Sequence, residues 1–145
     1  MEIRQAEPRD ADGVADVFIP SFDSLTFLPR LHTHDDHRAF VRERLLPEHE
    51  VWVAAEDGKI VGFAALTADM LAHLYVHPAA QRRGVGGALL AKAKERRPDG
   101  FTFWVFQQNE QGRRFYEQHG CRVVRLTDGR DNDEKTPDAL YEWRP

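Results

Sequence analysis

Apolar and polar positions along this chain repeat with a period of two in some stretches and about 3.6 in others, which separates strands from helices. Ile3 to Ala6 alternates and reads as a first strand. Asp10 stands as N-cap to a helix over Ala11 to Phe22, with Val14, Val17 and Phe18 on one stripe. A connection from Pro20 to Thr33 carries Phe22, Leu25, Phe27 and Leu28. A second helix follows over Asp35 to Leu46, using Phe40, Val41 and Leu45 and stopping before Pro47. Val51 to Glu56 and Lys59 to Leu66 are apolar strands around Asp57-Gly58, a strong hairpin signal.

Leu71 to Val76 is the next strand, and Val85 to Arg97 a helix behind a glycine-rich turn. Phe101 to Phe106 is almost entirely apolar, which predicts a central strand covered on both faces. Asn109 to His119 is a further helix, with Gly120 as its C′ residue. Arg122 to Leu126 and Leu140 to Arg144 read as a closing antiparallel pair. The polar stretch between them, Thr127 to Asp138, is long for a hairpin and reads as mobile. The order βααβββαβαββ places the chain in the α/β class: one domain over residues 1–145, with a mixed sheet and helices on both faces.

The densest chemistry lies at Gln81-Arg82-Arg83-Gly84-Val85-Gly86-Gly87, where a strand turns into a helix. Glycines let the backbone approach a ligand, and the first helical N–H groups carry the positive end of the helix dipole. Arg82 and Arg83 add charge, so the arrangement suits a diphosphate. Neither the dinucleotide fingerprint nor a Walker loop is spelled out. Gln81-x-x-Gly84-x-Gly86 after Leu-x-Val-x-Pro resembles the acetyl-CoA loop of the GNAT superfamily of N-acetyltransferases. Asn109-x-x-Gly112-x-x-Phe115-Tyr116-Glu117-x-x-Gly120-Cys121 resembles the superfamily's later Asn-x-x-Ala-x-x-Phe-Tyr-x-x-x-Gly-Phe segment, with Gly for Ala and Cys for Phe.

The resemblance covers nearly the whole chain and implies the GNAT-like fold, a mixed, mostly antiparallel sheet whose strands splay around the cofactor. It implies diphosphate contact from Gln81, Arg82, Arg83, Gly84, Val85, Gly86 and Gly87, and pairing of the pantetheine arm with backbone near Leu74, Tyr75 and Val76. Tyr116 takes the position of the tyrosine that protonates the leaving thiolate. Asn109 has two readings, as helix cap and as partner of the cofactor arm. Many relatives carry a Glu six residues ahead of the Val in Leu-x-Val; here that position is Met70, which takes no proton. His73, on the same strand and with an ordinary pKa near 6.5, is a candidate base, competing with Asp69, Glu56 and a water chain. The implied reaction is acetyl transfer from acetyl-CoA to a primary amine of a small molecule or peptide, in a ternary complex. The rival reading is a non-catalytic acyl-CoA sensor, which the Met70 departure favours.

Composition narrows the partners. Net charge is −4 and the pI about 6.0, so bulk electrostatics favour no nucleic-acid partner. The single cysteine, Cys121, reads as a buried small hydrophobe and excludes an internal disulfide. No apolar run reaches membrane-spanning length, and the amino terminus is no signal peptide, so a cytoplasmic monomer or homodimer is expected. His32, His34 and His37, with Asp35 and Asp36, are spaced too loosely to specify a metal, so none is expected. Asp35 or Thr33 capping the second helix accounts for much of the cluster. The resemblance implies that the preceding connection walls the acceptor site, with His32 and His34 facing the substrate. Asp131, Asp133 and Glu134 read as a solvated hairpin tip and a lip of the acceptor cleft rather than a calcium loop.

Overall fold

In the computed structural model, which describes residues 1–145, the sheet is built in two parts. Strands β1 (Glu2–Gln5), β2 (Glu50–Glu56), β3 (Lys59–Leu66) and β4 (Leu71–Val76) form an antiparallel set in that order. Strands β5 (Phe101–Phe106), β6 (Arg122–Leu126) and β7 (Asp138–Trp143) form a second set, with β7 between the other two. The parts meet at one parallel bridge, Met70 to Thr102, reinforced by Thr102 N–H donating to the Asp69 carbonyl at 3.1 Å. Beyond it β4 and β5 diverge.

Helices α1 (Ala11–Asp23) and α2 (His34–Phe40) cover one face, burying Val14, Val17 and Phe18 against Val51, Val53 and Phe63. On the other face lie α4 (Val85–Arg96) and α5 (Glu110–Gln118), where Leu89 and Leu90 pack with Phe103 and Tyr141. The mixed sheet with helices on both faces is as expected. The Asp57-Gly58 hairpin has positive φ at both residues, 53° and 79°, as a type I′ turn requires.

Four local expectations are corrected. Helix α1 runs through Pro20 to Asp23, so the connection is shorter than predicted. Asp10 is not a simple N-cap: it accepts from Glu7 N–H at 2.7 Å and forms a bidentate pair with Arg4 at 2.8 and 3.0 Å. Helix α2 continues through a π-helical stretch, Val41–Leu45, into α3 (Leu46–Glu48), because Leu46 N–H reaches back to the Val41 carbonyl. That wider turn carries the helix past Pro47, which has no N–H to give. Strand β5 is not covered on both faces. Phe101, Phe103 and Val105 are buried, while Trp104 on the opposite face is 43 % exposed, because no helix covers that side of the β5–β7–β6 sheet.

Glu50 fastens the end of α4 to the sheet. It accepts from Arg96 Nε at 2.6 Å, Trp52 Nε1 at 2.8 Å and Arg97 Nη1 at 3.2 Å. Burial alone would raise this carboxyl; the three donors outweigh it and draw the pKa from 4.5 to about 2. A carboxyl depressed in the folded state contributes stability above its unfolded pKa and loses it as pH falls through the folded one. The Glu50 contribution is therefore complete above pH 4.5 and gone below about 2. Glu50→Gln is expected to lower unfolding free energy at neutral pH by about 1–3 kcal/mol and to flatten the acid loss in that window. Urea unfolding of both proteins across the window is the check.

Candidate active site

The diverging strands leave β4 with unpaired backbone. His77 N–H donates to the Val61 carbonyl, so the strand's alternation turns the peptide groups of Tyr75 toward β3 and those of Leu74 and Val76 toward the gap. The Val76 carbonyl accepts from Ser21 Oγ at 3.0 Å and from Gln81 Nε2 at 3.3 Å. Tyr75 thus offers the site its side chain rather than its peptide, a correction to the expected backbone contact.

At the end of β4 the chain makes a short 3-10 turn, Pro78–Ala80, before the glycine-rich loop. Arg82 has φ 66° and Gly84 φ 83°, both left-handed. Such a conformation turns consecutive N–H groups into a concave cradle, and α4 starts immediately after it. Arg83 pairs with Glu56 at 3.0 Å, while Arg82 makes no ion pair. The other two glycines serve packing: a Cβ at Gly86 would meet the Phe115 ring at 3.2 Å, and one at Gly87 would meet His119 Nε2 at 3.2 Å. They let α4 and α5 touch, and this fixes Tyr116 relative to the loop.

On α5, Asn109 Oδ1 accepts from Gly112 N–H at 3.0 Å, which is the capping role. A Cβ at Gly112 would lie 2.6 Å from Asn109 Nδ2, so an alanine there requires the Asn109 side chain to shift. Tyr116 is buried, its ring 4.4 Å from Phe103. Burial pushes its hydroxyl well above the usual phenol range, helped by the nearby Tyr75 and Cys121, so it stays protonated at neutral pH. Burial also raises the Cys121 thiol, which disfavours a thiolate nucleophile.

The opposite wall is set by a bulge. Ala65 pairs with His73 but Leu66 pairs with Leu71, leaving Ala72 unpaired and turning Leu71 into the α4-side core. His73 and Tyr75 face α1 and α2. The His73 ring lies within 6.1 Å of Phe18, Phe40, His49 and Tyr75. Burial, then the neighbouring His49, pulls its pKa down to about 4. It is neutral at pH 7 and a weak base, contrary to the expected midpoint near neutrality. Burial and Glu134 together push Tyr75 up to about 12.

Glu134 belongs to the connection between β6 and β7. That stretch is tied by hydrogen bonds: Asn132 Nδ2 donates to the Thr136 carbonyl at 2.7 Å and to Asp138 at 3.1 Å. Gln107 Nε2 ties its two ends to β5 by donating to the Thr127 and Asp138 carbonyls, each at 2.9 Å. Opposite stands the α1–α2 connection, where His34 is held by Asp23 at 2.8 Å. His32 and His37, but not His34, share a crevice with Glu134.

A gap between strands, a backbone cradle at a helix start and a protonated phenol are thus gathered at one end of the sheet. Residues 47–122 match the family model described as the acetyltransferase (GNAT) domain. The chain belongs to the GNAT superfamily. Peptidyl-lysine N-acetyltransferase YjaB of Escherichia coli (strain K12) is 30% identical over 132 residues, covering 86% of this chain and 84% of that one. Peptidyl-lysine N-acetyltransferase YiaC of the same organism is 29% identical over 123 residues, 84% of each chain. The solution structure of apo-form YjaB from Escherichia coli superposes with a TM-score of 0.81 at 26% identity, covering 98% of this chain and 96% of that one. PaiA N-acetyltransferase from Thermoplasma acidophilum, in complex with coenzyme A, shares the fold with a TM-score of 0.76 at 20% identity, over 99% and 98% of the two chains.

As a GNAT enzyme, the protein transfers acetyl groups from acetyl-CoA. Its own features fit that donor. The cradle of Arg82 to Gly84 and the first turn of α4 suit a diphosphate, and the gap-facing peptide groups of β4 suit an amide-bearing arm. Three contributors escaped the sequence: the Tyr75 side chain, Ser21 and the Ala72 bulge. Only Ser21 carried a local signal, as a polar residue just after the apolar stripe of α1.

Proposed function

We propose that this GNAT enzyme acetylates the ε-amine of lysine in a polypeptide by direct attack within a ternary complex. The names of the relatives YiaC and YjaB support a peptidyl-lysine acceptor. The direct route rests on Cys121, whose thiol is buried and kept protonated by that burial despite the nearby Lys94. The observation that carries catalysis over mere sensing is Tyr116. A phenol held protonated beside the gap is a ready donor to a sulfur leaving with negative charge, and a passive binder has no use for it.

Lysine has a pKa near 10.4, so its neutral form costs roughly 4–5 kcal/mol at pH 7. His73, with its pKa near 4, lends little driving force to that deprotonation. We assign it to shaping the wall around Tyr75, and the amine proton passes to solvent. Tyr116 donates to the departing sulfur and receives in exchange the proton that the attacking nitrogen sheds on becoming an amide, so the thiol ends with one proton and the phenol is restored. Leu74 and Val76 hold the arm, and Arg82 with the α4 N-terminus holds the diphosphate.

Coenzyme A release is the test, measured with lysine peptides, polyamines, aminoglycosides and free amino acids. Lysine peptides are expected to give the highest kcat/KM. Saturable acetyl-CoA binding without release for any amine would instead establish the sensor, the reading that Met70 favours. In the same assay kcat/KM is expected to keep rising with pH toward the amine pKa, and His73→Asn to leave the profile's shape unchanged. An acidic limb near pH 6–7 that vanishes in His73→Asn would return the base role to His73.

A further inference from the structure

Ser21 is 5 % exposed and lies near the end of α1. A serine inside a helix commonly bonds back to the carbonyl three or four residues earlier. Ser21 instead donates its hydroxyl proton to the Val76 carbonyl at 3.0 Å, 55 positions along the chain and at the end of β4. A hydroxyl has one proton to give, and this bond spends it. The Val76 carbonyl has two lone pairs, and a second donor, Gln81 Nε2, lies at 3.3 Å. The two donors arrive from different elements. Ser21 comes from α1, and Gln81 from the loop before α4, where its Oε1 also accepts from Gln111 Nε2 of α5 at 3.4 Å. The Ser21 bond is the shorter and is partly buried, whereas both Gln81 bonds are exposed and at the weak end of the range. The serine is a fixture; the glutamine amide is replaceable.

We infer that Ser21 is a positioning residue for acetyl-CoA: it aims the Val76 carbonyl into the gap, so that the carbonyl accepts an amide N–H of the pantetheine arm. The inference rests on the arm lying along β4, as proposed above, and adds the side chain that sets the angle of its acceptor. Val76 is the last residue of β4, and beyond it the chain leaves the sheet at His77 and turns through Pro78–Ala80. The peptide after Val76 is held to β3 through its nitrogen, by His77 N–H donating to the Val61 carbonyl at 2.8 Å. Ser21 supplies a second anchor on the oxygen itself. Gln81 shows what the remaining lone pair takes: an amide N–H, the same group that the arm carries. The arm's N–H replaces that of Gln81, while Ser21 keeps its bond in both states.

Two substitutions and two ligands separate the outcomes. Ser21→Ala removes the donor, and Ser21→Cys keeps the outline of the side chain with only a weak donor. The probes are coenzyme A and adenosine 3′,5′-bisphosphate, which carries the nucleotide end without the arm. Calorimetry reads coenzyme A directly and the bisphosphate by displacement. Both variants are expected to bind coenzyme A about 3–10-fold more weakly and the bisphosphate within about 2-fold of the parent. KM for acetyl-CoA is expected to rise with kcat nearly unchanged, because the bond to the arm is equally strong in the ground and transition states. A serine that merely held α1 on the sheet would disturb the end of β4 and the cradle after it together. An equal loss for both ligands would therefore overturn the inference. So would unaltered coenzyme A affinity in Ser21→Ala, or a fall in kcat with binding intact. Should the parent turn over no amine at all, the proposed reaction falls, while the binding comparison still decides the role of Ser21.

Discussion

Tyr116→Phe is expected to lower kcat by about 10²–10⁴ while leaving acetyl-CoA affinity within a few-fold. The ring stays packed on Phe103, and the hydroxyl makes no hydrogen bond within the protein, so the substitution leaves no partner stranded. Stability is therefore expected to hold. The size of the effect follows from where the proton sits. Burial raises the phenol further above a thiol, whose pKa is near 8.5, so full transfer to sulfur is uphill before and after the carbon–sulfur bond breaks unless the phenol's proton is replaced at the same time. Tyr116 acts first as a hydrogen-bond donor to charge that develops only in the transition state, and such interactions appear in kcat rather than in binding. Single-turnover measurement of coenzyme A release reads this step directly. An unchanged rate would mean that the thiolate leaves unaided and that Tyr116 only packs.

Gly86→Asp is expected to weaken acetyl-CoA by at least about 100-fold, or about 3 kcal/mol. The new carboxylate would stand in the first turn of α4, where it attracts the N–H groups offered to the diphosphate and repels the phosphates themselves. The protein should remain folded, because a carboxylate at a helix start contributes about 0.3–1 kcal/mol, which offsets part of the crowding against Phe115. Gly86→Ala isolates that crowding. Its Cβ presses on the Phe115 ring at 3.2 Å without adding charge, and it should bind acetyl-CoA within a few-fold of the parent. Equal affinities for Gly86→Asp and Gly86→Ala, read by calorimetric titration, would remove the diphosphate from that end of α4.

The sequence spells out the element order, the left-handed turn at Gly84 and the position of Tyr116 on α5, because each rests on local chemistry. Asp57-Gly58 needs positive φ, Gly84 needs it again, and the apolar stripe of α1 declares its period. What it missed depends on distant partners. The bulge at Ala72 arises from register against β3, and no residue near it announces a break in alternation. Gly86 and Gly87 looked like places for a ligand to approach but make room for Phe115 and His119, residues about thirty positions onward. The π-helical stretch ahead of Pro47 and the bare face of β5 were likewise settled by packing. His73 shows the same limit in its chemistry. An imidazole with an ordinary pKa is a plausible base on paper, and only the rings around it make it a poor one.

The single bridge between Met70 and Thr102 also governs what can occupy the gap beyond it. A polypeptide strand inserted there would need space for side chains above and below the sheet. Those spaces are taken, by Leu74 and Val76 within the α4-side cluster and by Tyr75 within the cluster under α1. The slot therefore rejects a strand that carries side chains, and it accepts a slender chain that offers amides alone. Inner edges that would elsewhere invite aggregation are in this way crowded against a second protein strand, while their free amide groups suit a slender amide-bearing arm.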